Sequence, residues 1–254
     1  ATIAYVWNRI AHWRDDERSP PALKKRLFSA VTQDDHTALC AALQELNDSI
    51  GPSLADVLKY RDDNGWTLMQ LAALHGRTQI LEQFVSYAKS LDIDNDFEGR
   101  VETNGEGREC FTILNAGGGS GQTPLILSLV NRHEDAAALL IREGAAVHDS
   151  SLRGRNAVYL ASVGGLHKAA NAIIEKHGAA TFAQLANATD DNGYNALYAA
   201  ALGGHAELCD ILLSHGVSIK QTSPDASSAV HAACRGLGFD IKRVGRTTEF
   251  RLKQ

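Results

Sequence analysis

The side chains able to do chemistry in this sequence are few and scattered. Four cysteines occur, Cys40, Cys110, Cys209 and Cys234, none in a Cys-x-x-Cys pair. That is no disulfide framework, and reduced thiols in a cytosol-like compartment are the expectation. His231 stands three residues before Cys234, one helical turn away. A nucleophilic pair would also need an orienting third group and an oxyanion site, and the sequence supplies neither. Cys209 and Cys234 lie among Ala and Leu, the setting of a small buried thiol. The run Asp94-Asn-Asp96-Phe-Glu98-Gly99 imitates the start of a calcium loop, but Gly105 falls where the closing bidentate acid belongs. Gly117 to Gly121 is glycine-rich without the Gly-Lys-Ser/Thr of a phosphate loop. No His-Glu-x-x-His, no Gly-x-Ser-x-Gly and no metal-spaced Cys/His set is present. The residues predict no enzyme, no metal and no cofactor.

Elements able to position a binding surface emerge from self-similarity instead. A Gly, a small or hydroxylated residue two positions on, an Ala-rich apolar stretch and a second Gly recur in series. Copies start at Gly65, Gly121, Gly154 and Gly193, with a degraded fifth at Ser228-Ala-Val-His231-Ala-Ala-Cys-Arg-Gly236. The gaps are 56, 33 and 39 residues; removing insertions of 23 and 6 makes all three 33. Each copy predicts a helix pair. Thr123-Pro124 offers a hydroxyl N-cap before Pro at the first helical position, where a missing N–H is harmless. Gly164-Gly165 and Gly203-Gly204 end the first helix, and Leu208, Ile211 and Leu212 give the second an apolar face. Gly144, Gly178 and Gly216 are expected to stop the second helix and start an outward turn.

This period and signature resemble the ankyrin-repeat family over residues 62–236. Thr123-Pro124-Leu125 matches the central tripeptide outright. Leu68 and Ala157 replace its Pro, and the usual His is replaced by Gln70, Ile126, Tyr159 and Tyr198, surviving at His231. The resemblance implies an all-α solenoid of stacked helix pairs with divergent N- and C-terminal caps, because no pair can cover its own apolar face. It also implies that His231 bonds backbone in a neighbouring turn.

The expected organisation is therefore an N-terminal helix and capping helices over 1–61, repeats over 62–236 with an insertion at 89–120, and a basic tail over 237–254. In the first part, Leu23–Val31 and Thr37–Leu46 read as a capping pair. Ile3, Val6, Trp7, Ile10 and Trp13 have the spacing of an amphipathic helix packed on it. The insertion carries seven acidic and three basic residues and reads as a loop between repeats. The tail, with Phe239, Ile241, Val244 and Phe250 among basic residues, reads as a short hairpin closing the stack or the start of a further domain.

Charge narrows the partner. The net charge of −5 divides into +3 over residues 1–30, +4 over 235–254 and −12 between them. An acidic body does not suit nucleic acid, whose phosphates call for a basic face. No apolar run approaches the ~20 residues of a membrane-spanning helix. A protein partner, bound by a monomer in the cytoplasm or in a host cytosol, is the expectation. The chain begins Ala-Thr-Ile without a signal-peptide core, and a longer parent protein is one further expectation.

By resemblance to the family, a partner would contact the turn tips and the exposed ends of the first helices. The tips are Asp63, Asn64 and Trp66; Gln122; Arg153 and Arg155; and Asp191, Asn192 and Tyr194. The helix-end positions are Leu74 and His75; Val130 and Asn131; Val163; Leu202; and Arg235. Trp66 and Tyr194 stand out, since Trp, Tyr and Arg dominate binding hot spots. The implied function is a non-enzymatic protein-interaction module, an adaptor or a bacterial effector acting in a host cell. The competing expectations are a regulatory repeat region of a larger enzyme, and a basic tail docking as a lid on the acidic body.

Overall fold

A computed structural model of the chain describes residues 20–48, 61–62, 64–90, 114–117, 122–148, 153–219, 228–236, 239–244 and 247–252. They fall in two compact units, Ala1–Gly121 and Gln122–Gln254. The amphipathic segment 1–18, the calcium-like run and most of the insertion lie outside the described residues.

In the first unit, α1 (Pro20–Gln33) and α2 (His36–Asp48) form the capping pair, and α1 packs on α3 (Leu68–Leu74), which pairs with α4 (Thr78–Ser90). Leu23, Leu27, Val31, Leu39 and Leu43 supply the apolar face of the first pair. Asp35 starts α2 as a cap, taking the Ala38 N–H at 2.9 Å on its carboxylate. Thr67 and Gln70 close a reciprocal capping box at the start of α3, satisfying two N–H groups that a helix start leaves open. The end of the insertion is held against this repeat. Leu114 is buried, the Ala116 carbonyl accepts the Gln70 side chain at 3.0 Å, and the Gly117 carbonyl accepts Arg61 at 3.1 Å.

The second unit holds three helix pairs: α5 (Pro124–Val130) with α6 (Glu134–Arg142), α7 (Ala157–Gly164) with α8 (His167–Asn187), and α9 (Ala196–Gly203) with α10 (Ala206–Ser214). α11 (Ala229–Gly236) follows. The first helices α5, α7, α9 and α11 lie side by side in one layer, and α6, α8 and α10 in a second. Thr123, Asn156 and Asn195 cap α5, α7 and α9, each accepting the N–H three residues on. Ala136, Ala137, Ala161, Ala169, Ala170 and Ala200 are buried between helices, where side chains this small let backbones approach. Leu140, Ile173 and Leu212 fill equivalent core positions at essentially zero exposure. Each fully buried aliphatic contributes roughly 1.5–3 kcal/mol of transfer free energy.

One expectation is corrected in part here. Gly178 interrupts the helix at φ +85 and ψ +159, as expected, but no outward turn follows it: residues 179–187 form a further helical segment before the next turn. Phe182, fully buried in that extension, meets the His215 ring edge-on at 5.3 Å, so the extension belongs to the core. His231 Nδ1 accepts the Ser228 backbone N–H at 3.3 Å and meets the Ser228 hydroxyl at 2.8 Å, both within its own turn. It does at this helix start what Gln70 does at α3.

The tail adds strands to an otherwise helical fold. β1 (Phe239–Val244) and β2 (Thr247–Leu252) pair antiparallel, with Phe239 opposite Leu252, Ile241 opposite Phe250 and Asp240 opposite Arg251. β1 runs beside α11.

Candidate partner-binding surface

The turn tips are built from one five-residue device used twice. Asp62-Asp63-Asn64-Gly65-Trp66 and Asp190-Asp191-Asn192-Gly193-Tyr194 share their sequence up to the aromatic. Asp190 accepts the N–H groups of Asn192 and Tyr194, both at 3.0 Å, on one carboxylate oxygen. Asp62 does the same for Asn64 at 2.9 Å and Trp66 at 2.7 Å. Gly65 and Gly193 turn the chain at φ +81 and +79, values that a side chain disfavours. A short acid that accepts its own downstream N–H groups fixes a tight turn without regular structure. Asp62 and Asp190 are thus the residues that set the tips, and the sequence reading passed over both. Their signal was present in the repeated Asp-Asp-Asn-Gly.

Several predicted tip residues hold the fold together. Arg155 stands 3.6 Å from the fully buried Asp190 carboxylate and lies over the Tyr159 ring at 5.4 Å. It is a partly buried structural cation, not a free tip contact. Tyr194 stacks on Tyr198 with ring centroids 4.0 Å apart, which leaves part of its ring covered. Trp66 is half-buried and donates its backbone N–H to Asp62. Asn64, Arg153, Asp191 and Asn192 are exposed, and Gln122 is half-buried. Asp63 lies outside the described residues.

The helix-end positions give a clearer surface. Val130, Val163 and Leu202 are each the seventh residue after their N-cap, in the last turn of α5, α7 and α9. They are 53%, 38% and 44% exposed, among the few large apolar side chains left to solvent. Because α5, α7 and α9 lie side by side, the same position in each makes a row across one face of the second unit. Asn131 is exposed beside it and donates its side-chain N–H to the Leu127 carbonyl at 2.8 Å. In the first unit, Leu74 is half-buried and His75 is exposed at the end of α3. Arg235 lies on α11, its side chain outside the described residues.

Among the described residues no group of three His, Cys, Asp or Glu could hold a metal ion, and no helix is long and apolar enough to cross a membrane. Burial, and then Asp210, push the Cys209 thiol above the ordinary thiol range, away from the reactive thiolate. The side chains of Cys110 and Cys234 lie outside the described residues.

Capped helix pairs, tips on a shared turn and an apolar row at one repeat position define a protein of stacked helical repeats. The Ankyrin repeat family model matches residues 192–224, the turn and helix pair of α9 and α10. NF-kappa-B inhibitor alpha of Sus scrofa is 25% identical over 114 residues, 45% of this chain and 36% of that protein. The nuclear factor NF-kappa-B p105 subunit of Gallus gallus is 20% identical over 174 residues, 68% of this chain and 16% of that one. The match thus spans well under half of either relative. Among solved structures, a chain of the complex between the Bd0816 predatory endopeptidase of Bdellovibrio bacteriovorus and immunity protein Bd3460 superposes with a TM-score of 0.59. It is 22% identical, over 84% of this chain and 92% of that one, a likeness of fold.

Proposed function

We propose that this chain is a non-enzymatic protein-interaction module that holds a partner protein along the row Val130, Val163 and Leu202. The observation that carries this reading is the exposure of three aliphatic side chains at one repeat position, on helices whose other apolar residues are buried. Aliphatic groups gain nothing for the stack by facing water, and a contiguous exposed apolar row is the mark of a contact surface. The exposed tip residues Arg153, Asp191 and Asn192 supply a polar rim of the kind that surrounds such a patch. One relative, NF-kappa-B inhibitor alpha, is named for the protein it restrains, and a protein partner fits the present chain in the same sense. In this reading the chain works as a cytoplasmic adaptor, or as an effector in a host cytosol, without a cofactor.

The test compares the parent with a Val130→Asp/Val163→Asp/Leu202→Asp variant as baits for affinity capture. A protein retained by the parent and lost by the variant, with melting temperature unchanged, is the expected result. Equal capture by both would remove the row from the interaction.

A further inference from the structure

The residue after Asn131 ends α5 in a left-handed turn, its N–H meeting the Leu129 carbonyl at 3.1 Å and that of His133 the Ser128 carbonyl at 2.8 Å, and it does so at a cost that its side chain does not repay. Arg132 holds φ at +60, in the left-handed region. The matching residue in the other repeats, nine after the N-cap, is Gly76, Gly165 or Gly204, at φ +66, +73 and +72. Glycine enters this region freely, whereas a residue with a Cβ is strained there.

One other described residue outside glycine shares the conformation, Asp34 at φ +61. Its case is self-contained. Asp tolerates the left-handed region better than most residues, and the Asp34 carboxylate takes Arg77 at 2.9 Å, tying the capping pair to the next repeat. Arg132 has neither excuse. Its side chain is exposed and enters no ion pair or side-chain hydrogen bond among the described residues. The carboxylates nearest in sequence are turned toward the following repeat: Glu134 accepts the Lys168 backbone N–H at 2.8 Å and stands 3.7 Å from His167, and Asp135 takes the Lys168 ammonium at 2.8 Å. An unpaired guanidinium is thus presented two residues from the most exposed member of the aliphatic row.

We infer that Arg132 is a specificity residue, kept at a glycine position to receive a carboxylate from a partner segment whose apolar face lies on Val130, Val163 and Leu202. The inference rests on the surface reading above and narrows it: the partner segment is amphipathic, with an acidic side chain at the α5 end. Guanidinium is suited to this because its planar fork donates two parallel hydrogen bonds to a carboxylate. A strained residue at a contact surface is the expected trace of such a function.

The probe follows from dimensions. Three neighbouring helices, 8–10 Å apart, span about 20 Å, which a helical peptide of about 15 residues covers at ~1.5 Å per residue. Two labelled peptides serve, each with leucines along one face, one flanked by glutamates and the other by glutamines. They are titrated against the parent, Arg132→Gly, Arg132→Lys and the triple Asp variant of the row. The parent is expected to bind the glutamate peptide about two- to fivefold more tightly than the glutamine peptide, in keeping with one exposed charged contact. Arg132→Gly erases that preference while raising the melting temperature by about 2–4 °C as the strain is relieved. Arg132→Lys retains part of the preference. A glutamate preference that survives in Arg132→Gly overturns the inference, as does a melting temperature that fails to rise. Equal binding of both peptides, lost in the triple variant, overturns the role of Arg132 and leaves the row standing. If neither peptide binds, the inference falls, and the capture experiment decides the row separately.

Discussion

Tyr159 donates its hydroxyl to the buried carboxylate of Asp190 at 3.1 Å, across the boundary between two repeats. The same carboxylate shapes the turn of the second repeat through the N–H groups of Asn192 and Tyr194. One side chain therefore couples the geometry of a tip to the stacking of its neighbour.

Asp190→Ala is expected to lower stability by about 2–4 kcal/mol, since it strands a buried hydroxyl and two turn N–H groups and leaves Arg155 without its counter-charge. Asp190→Asn, which keeps an acceptor, should lose less. Urea unfolding of both variants checks this, and a parent-like midpoint for the alanine variant would show that the turn holds without the carboxylate.

Burial, and then the Asp190 charge, push the Tyr159 phenol up to about 12. Between pH 10 and that value the unfolded chain ionises its tyrosine while the folded chain keeps the proton. Stability therefore falls as pH rises through this window. Alkaline titration of tyrosinate absorbance should show a late-ionising tyrosine that disappears in Tyr159→Phe, and the phenylalanine variant should lose less stability over the same range.

Leu212, on α10, is fully buried. Leu212→Ala should destabilise by roughly 2–5 kcal/mol through the lost transfer term and the cavity left behind. Calorimetry that finds a parent melting temperature would mean that the α10 face is misplaced.

Gly165 and His205 touch across adjacent repeats. A Cβ at Gly165 would stand 2.6 Å from the His205 ring, which is itself pinned to the Val163 carbonyl at 3.3 Å. Gly165 also sits at φ +73, so Gly165→Ala should cost about 1–3 kcal/mol through strain and clash together. Adding His205→Ala should restore the steric part only. Strict additivity in the double-mutant cycle would show that the two sites do not meet.

Trp66→Ala should weaken binding of a captured partner by about 2 kcal/mol or more while the melting temperature stays near that of the parent. Isothermal titration decides it. A large loss of stability with unchanged affinity would assign the half-buried indole to the fold.

Sequence alone determined what depends on residues a few positions apart. The repeat period, the cap at Thr123 and the glycines after α7 and α9 follow from local backbone chemistry, and they placed Val130, Val163 and Leu202 at one position of successive repeats. Tertiary structure decided burial, because burial depends on what stacks next. Leu213 and Ile219 are exposed although the matching Ile141 and Val147 are buried, and Val230 is exposed where Leu125, Val158 and Leu197 are buried. A repeat pattern assigns the same side chain to every copy, but only a following repeat covers it. The same reason hid Arg155, which reads as a free cation until Asp190 is packed beside it, and the helix at 179–187, which reads as an inserted turn until Phe182 is seen in the core.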